Sequence, residues 1–250
     1  MRSFGKIGIR QYPNRLLESN NHELGRYGVQ YDWNANIGIT LNGSTVSAWK
    51  DKIQGVSWIQ STVGQQPLID TATINGNDSV FANSTNKRME SSTSIILGDN
   101  YWIAWVFRDS NAGTTIGPHN LSGTVNIQPV RVLFGATGSN YIGAFGSSKT
   151  NTTTGSGVPN SRYVTAGSTS VWNIVVFTRN KIFVNGVSQA IVGNSNYLIP
   201  VAYNALFSSV SNQNYNTTGY LTRFVIGNQA LSDDSILELS NNLNSVYAVY

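Results

Sequence analysis

Cysteine is absent from this 250-residue chain. Neither a disulfide framework nor a thiolate metal site can form, so stability must come from packing. Histidine is scarce: His22 and His119 are the only two, which leaves a His-rich zinc site or a Ser-His-Asp triad little to draw on. Glutamate occurs only as Glu18, Glu23, Glu90 and Glu238. A retaining glycosidase needs two carboxylates about 5 Å apart, and no strand-like run here alternates acidic residues on one face. Asp99 and Asp109 bracket the run 101–107 but stand too far apart along it. No strand-like run clusters His, Arg, Gln, Tyr and Lys either. The chain is therefore expected not to be an enzyme, with no catalytic residues.

Charge is also low. Asp, Glu, Lys and Arg make up 11% of the residues, against about 25% in an average soluble domain. Asn, Ser, Thr and Gly must then cover much of the surface, and these residues disfavour helix interiors because their side chains compete for backbone hydrogen bonds or, for Gly, because ordering costs too much entropy. No apolar run is long enough for a signal peptide or a bilayer span, so the expectation is a protein without leader or membrane segment.

What is present reads as β-structure. Short apolar or alternating runs recur at 45–49, 56–60, 102–107, 126–134, 141–145, 171–177, 182–184 and 220–226, the spacing of a sandwich or barrel. Asn42-Gly43, Asn75-Gly76 and Asn185-Gly186 pair residues that tolerate positive φ, as two-residue hairpins require. The stretch 149–157 is almost wholly Ser, Thr, Asn and Gly and reads as a long exposed loop. Near the end, Ser232 is placed to cap a helix with Asp233 and Asp234 in its first turn and Ile236, Leu239, Leu243 and Val246 on one face. At this length a single domain is the default.

Residues 1–28 form a separate arm. Arg2, Lys6, Arg10, Arg15 and Arg26 face only Glu18 and Glu23, five positive against two negative, so the arm carries +3 of a net +4. Interrupted by Gly and Pro, it reads as a basic, partner-ordered segment with one helical turn near Leu16 and Leu17. Nucleic acid is disfavoured as its partner, because aromatic and basic residues are not interleaved.

Several segments, in order, resemble one family. They are 46–52 with Trp49-Lys50-Asp51, then Gln65-Gln66-Pro67, then Ile74-Asn75-Gly76 leading to Val80-Phe81. Next come 101–107, then 172–178 followed by Lys181-Ile182-Phe183-Val184-Asn185-Gly186, and last 219–226 followed by Ala230-Leu231-Ser232-Asp233 and the closing helix. Over residues 31–250 this order is similar to the concanavalin A-like, laminin G-like jelly-roll domains of bacterial surface proteins and phage virion proteins. Lys52-Ile53-Gln54-Gly55 departs from the family's commoner Ser-Gly-Asn-Gly. The resemblance implies an all-β, antiparallel two-sheet sandwich over 29–250 with one short C-terminal helix. It also implies a virion-associated decoration, head-fibre or spike protein that presents the sandwich to host-surface glycans, anchored to a capsid, fibre or tail partner through Arg2, Lys6, Arg10 and Arg15. A symmetric homo-oligomer, trimeric on a virion, goes with it. The alternatives are a purely structural decoration protein and a polysaccharide-degrading enzyme.

Sugars are held by aromatic faces and fixed polar groups in a preformed cleft. Tyr141, Tyr163, Tyr197, Tyr203 and Tyr215 lie among Asn, Ser and Gly and are the expected loop contacts, whereas Trp49, Trp58, Trp102, Trp105 and Trp172 lie in strand-like runs and are expected in the core. The resemblance also makes calcium a candidate cofactor, with Asp78, Asp99 and Asp109 as ligands; the alternative reading is aspartates that accept local backbone hydrogen bonds at turns.

Overall fold

The computed structural model describes residues 24–83, 87–109, 118–119, 128–134, 140–145, 162–166, 171–193, 202–207 and 219–250. Its strands are β1 (Val29–Asn34), β2 (Ile39–Asn42), β3 (Thr45–Lys50), β4 (Ser57–Ile59), β5 (Leu68–Ile74), β6 (Asn77–Ala82), β7 (Met89–Ile96), β8 (Tyr101–Asp109) and β9 (Pro118–His119). Further along are β10 (Gln128–Phe134), β11 (Asn140–Phe145), β12 (Arg162–Ala166), β13 (Asn173–Thr178), β14 (Ile182–Val184), β15 (Val187–Ser188), β16 (Val192–Gly193), β17 (Ala202–Leu206) and β18 (Gly219–Asn228). Helix α1 (Asp233–Tyr247) closes the chain. The fold is an all-β antiparallel sandwich with a short C-terminal helix, as the segment order implied.

Hydrogen bonding runs continuously through β15-β14-β13-β8-β18-β6-β5-β3-β4-β7-β17-β9, with β1 added to β18 and β2 to β3. A smaller sheet holds β10-β11-β12-β16. Two cores follow from the alternation of side chains along the strands. Inside the sandwich, Val46, Trp49, Trp58, Met89, Ile95 and Leu206 from one side meet Trp33, Ile103, Trp105, Phe107, Val175, Phe177 and Phe224 from the other. On the opposite face of β8, β13 and β18, residues Trp102, Ala104, Val106, Ile174, Val176 and Val225 pack under Ile236, Leu239, Leu243 and Tyr247 of α1. Strand β8 is thus buried on both faces, which is why its sequence is apolar without alternation.

The helix begins as its sequence requires. Ser232 Oγ accepts the Ser235 N–H at 3.2 Å, and Asp233 and Asp234 occupy the first turn, where the helix dipole favours negative charge. Two hairpin turns also follow local chemistry. Asn75 and Gly76 (φ 45° and 76°) join β5 to β6, and Asn185 and Gly186 (φ 51° and 74°) join β14 to β15. The third turn differs: Asn42 pairs with Thr45 as the last residue of β2, and positive φ falls on Gly43. Thr45 Oγ1 donates to Asn42 O at 2.7 Å and holds that closing pair.

Of the arm, residues 1–23, and with them the turn expected near Leu16, lie outside the described residues, as does the loop 149–157. Leu24 and Tyr27 are buried in the second core, Arg26 pairs with Glu238 of α1 at 2.6 Å, and Tyr27 O accepts the Trp102 indole N–H at 2.8 Å. Of the tryptophans expected in the core, Trp49, Trp58, Trp102 and Trp105 are fully enclosed; Trp172 is only half-buried.

Candidate functional site

A polar cleft of about 320 Å³ opens at one end of the main sheet. Three turns distant in sequence build it: residues 97–100 before β8, 178–181 between β13 and β14, and 229–232 between β18 and α1. Antiparallel pairing puts these ends together, since Tyr101 faces Asn228 and Trp102 faces both Gly227 and Thr178. Tyr101, Ala230 and Leu231 form the apolar part of the wall, with Asp99, Asn100, Thr178, Arg179, Asn180 and Lys181 around it.

The β13–β14 turn is rigidly wired. Thr178 Oγ1 accepts the N–H groups of Asn180 at 3.2 Å and Lys181 at 2.9 Å, so its hydroxyl is committed to the turn. Arg179 Nη1 lies 3.5 Å from Asp99 Oδ1, and Lys181 Nζ pairs with Asp233 at the start of α1. The side-chain amides of Asn100 and Asn180 are exposed and make no hydrogen bond among the described residues.

At the other end of the sheet, half-buried side chains form a row across β6, β18 and β8 to Trp172, the residue before β13. Phe81 stacks on Tyr220 at 4.2 Å with the rings 8° apart, the Arg108 guanidinium lies 4.3 Å from the Tyr220 ring, and the same group lies 5.4 Å from Trp172. Cross-strand register makes this row: Phe81 faces Tyr220, and Tyr220 faces Arg108. These ring faces are spent on one another, and Trp172 also packs against the core under α1. Trp172 belongs to this row rather than to the sandwich interior, because it precedes β13 at the sheet's rim.

Of the expected sugar contacts, Tyr141, Tyr163 and Tyr203 stand on β11, β12 and β17, not on loops. Flanking Asn and Gly suggested loops, but β-branched and aromatic neighbours such as Ile142 and Val164 favour strand. Tyr197 and Tyr215 lie outside the described residues, as do Arg2, Lys6, Arg10 and Arg15. Among the calcium candidates, Asp78 Oδ1 accepts the Ala72 N–H at 3.0 Å and its own N–H donates to Asn36 Oδ1 at 2.8 Å, which ties it to the irregular stretch of β5 where Ala72 has φ 54°. Asp99 lies at the cleft, and Asp109 ends β8. Among the described residues, no group of three or more His, Asp or Glu side chains is gathered as metal ligands would be. Asn100, Arg179, Asn180 and Lys181 were not anticipated as a site. Their signal in sequence was faint: short polar turns adjoining apolar strands.

No protein-family model matches the chain, and no curated protein matches it. Solved structures do. A Trypanosoma rangeli sialidase in complex with sialic acid matches with TM-score 0.57 and 12% identity over 88% of this chain and 33% of that one. Domain 4 of AbnA, a GH43 extracellular arabinanase from Geobacillus stearothermophilus, in complex with arabinotriose, matches with TM-score 0.56 and 12% identity over 85% of this chain and 99% of that domain. The receptor binding domain of botulinum neurotoxin D matches with TM-score 0.53 and 13% identity over 86% of this chain and 53% of that chain. The chain therefore spans a third of the sialidase's length and about half of the neurotoxin domain's, and at these identities the likeness is one of fold: a β-sandwich of the kind that the segment order resembled.

Proposed function

We propose that this chain is a non-enzymatic glycan-binding sandwich carried on a virion, as a capsid decoration, head fibre or spike, and attached through its basic arm. The observation that carries the glycan reading is the cleft. It is preformed by wired turns, it has room for one or two sugar rings, and it sets two unengaged amides beside a small apolar wall, the mixture that saccharide recognition needs. Similar sandwiches include a domain in complex with arabinotriose and a receptor binding domain, which is consistent with it. A non-catalytic role is supported by the cleft's single lining carboxylate, Asp99, which is paired with Arg179. The virion setting rests on the segment resemblance and on the charge of the arm.

A second reading, structural decoration without glycan binding, is favoured by exposed apolar side chains where the β14–β15 turn meets the chain end: Val187, Leu237 and Tyr250 are 59%, 42% and 49% exposed, and Leu237 and Tyr250 both border Gly186. Binding of the full chain to an array of bacterial surface glycans, with and without calcium, separates the two. The glycan reading expects specific binding that weakens by about tenfold or more in Asn100→Ala with Asn180→Ala, at unchanged thermal midpoint. Silence in both conditions leaves the structural reading, and undiminished binding by the double variant moves the site away from the cleft.

A further inference from the structure

We infer that the cleft selects an uncharged saccharide over a carboxylated or sulfated one; this rests on the glycan reading of the same cleft. The ionised groups there cancel in pairs. Arg179 is matched by Asp99 and Lys181 by Asp233, so each cation that lines the cleft already has a carboxylate beside it. An acidic sugar seated on Arg179 or Lys181 has to take that cation from its carboxylate. One ion pair is then exchanged for another, and a second anion is left beside the ligand. No gain in charge pairing offsets the loss of the ligand's own hydration.

The groups still available have the chemistry of neutral hydroxyls. Each side-chain amide of Asn100 and Asn180 offers two N–H donors and one carbonyl acceptor. A sugar hydroxyl both donates and accepts and so engages both ends of an amide. A carboxylate or sulfate only accepts, and it leaves the amide oxygens facing it unmatched. Thr178 adds no free hydroxyl, because its Oγ1 accepts two backbone N–H groups of its own turn and its O–H donates to Lys181 O at 3.4 Å. The wall of Tyr101, Ala230 and Leu231 then meets the C–H face of the ring.

The test uses the full chain against immobilised neutral hexose and N-acetylhexosamine oligosaccharides and their uronate-bearing, sialate-bearing and sulfate-bearing counterparts. The neutral members are expected to bind at least about tenfold more tightly than their acidic counterparts. Raising salt from about 0.05 to about 0.5 M should leave that affinity nearly unchanged, because no net charge is screened. In Asp99→Asn, whose altered side chain is 89% exposed and thus remote from folding, the freed Arg179 should bring acidic members up toward the neutral ones, with binding that now falls as salt rises. Equal or tighter binding of acidic members by the unaltered chain overturns the inference and leaves the glycan reading standing. Failure of every member to bind overturns both.

Discussion

Arg223 grips Asp32 with two hydrogen bonds, Nε to Oδ1 at 2.9 Å and Nη2 to Oδ2 at 2.8 Å, at a site where the two side chains are 3% and 1% exposed. Lys52 Nζ adds a third contact to Asp32 at 2.9 Å. The pair sits on the face of the sheet covered by α1, where Tyr247 brings its phenol beside the guanidinium. It joins β1, β18, the turn after β3 and the helix.

Removing one partner strands the other. Arg223→Met should cost about 3–5 kcal/mol, because the buried carboxylate loses its bidentate partner. Pairing it with Asp32→Leu should recover most of that loss, since an apolar pair needs no compensation in a dry site. Urea unfolding of both single variants and the double variant checks this; a double variant as weak as Arg223→Met would mean that the pair matters for more than charge balance.

The same network predicts how stability depends on pH. Burial pushes the Asp32 carboxyl up, but Arg223 and Lys52 outweigh it, and the group is held below the usual carboxylate range. Its contribution is therefore present above the unfolded value of about 3.9 and is lost as pH falls below that. Tyr247 behaves in the opposite sense: burial pushes its phenol up to about 12, with Arg223 partly opposing. Its contribution is intact below the unfolded value of about 10 and is lost as pH rises toward 12. Thermal midpoints across pH should fall at both ends, and Tyr247→Phe should flatten the alkaline fall while leaving the acid one.

Asp51 anchors the turn that follows β3. Its carboxylate is fully buried and accepts the N–H groups of Asp32 at 2.6 Å, Ile53 at 3.1 Å, Gln54 at 2.5 Å and Gly55 at 2.9 Å. Asp51→Ala leaves these donors without their acceptor and should destabilise by about 2–3 kcal/mol. Amide exchange at residues 53–55 should speed up well beyond that of β8; protection unchanged there would show that the turn holds without the carboxylate.

Where the physics is local, the sequence was readable. Asn75-Gly76 and Asn185-Gly186 form turns because each backbone pair adopts positive φ, a property of those residues themselves. Helix α1 announced itself through Ser232, the acidic first turn and the spacing of Ile236, Leu239 and Leu243. The Trp49-Lys50-Asp51 segment was singled out by resemblance, and the hydrogen bonds of Asp51 supply its physical meaning, even though Lys52-Ile53-Gln54-Gly55 departs from the family's usual residues there.

Other features lie in relations between distant strands. Leu221 faces Phe107 and Arg223 faces Val106, so Thr222 is an extra residue in β18. Plain alternation from Leu221 would aim Arg223 into the sandwich interior; the bulge turns it to the helix side, where Asp32 waits 191 positions earlier in the chain. The cleft is likewise made of turns near residues 99, 180 and 230, each unremarkable alone. Sequence by itself determined the strand-rich composition, the Asn-Gly turns and the closing helix, because propensity, capping and turn geometry act within a few residues. Only the tertiary structure decided which face Arg223 occupies and which polar turns meet, because register and the ordering of strands depend on contacts between segments far apart in the chain.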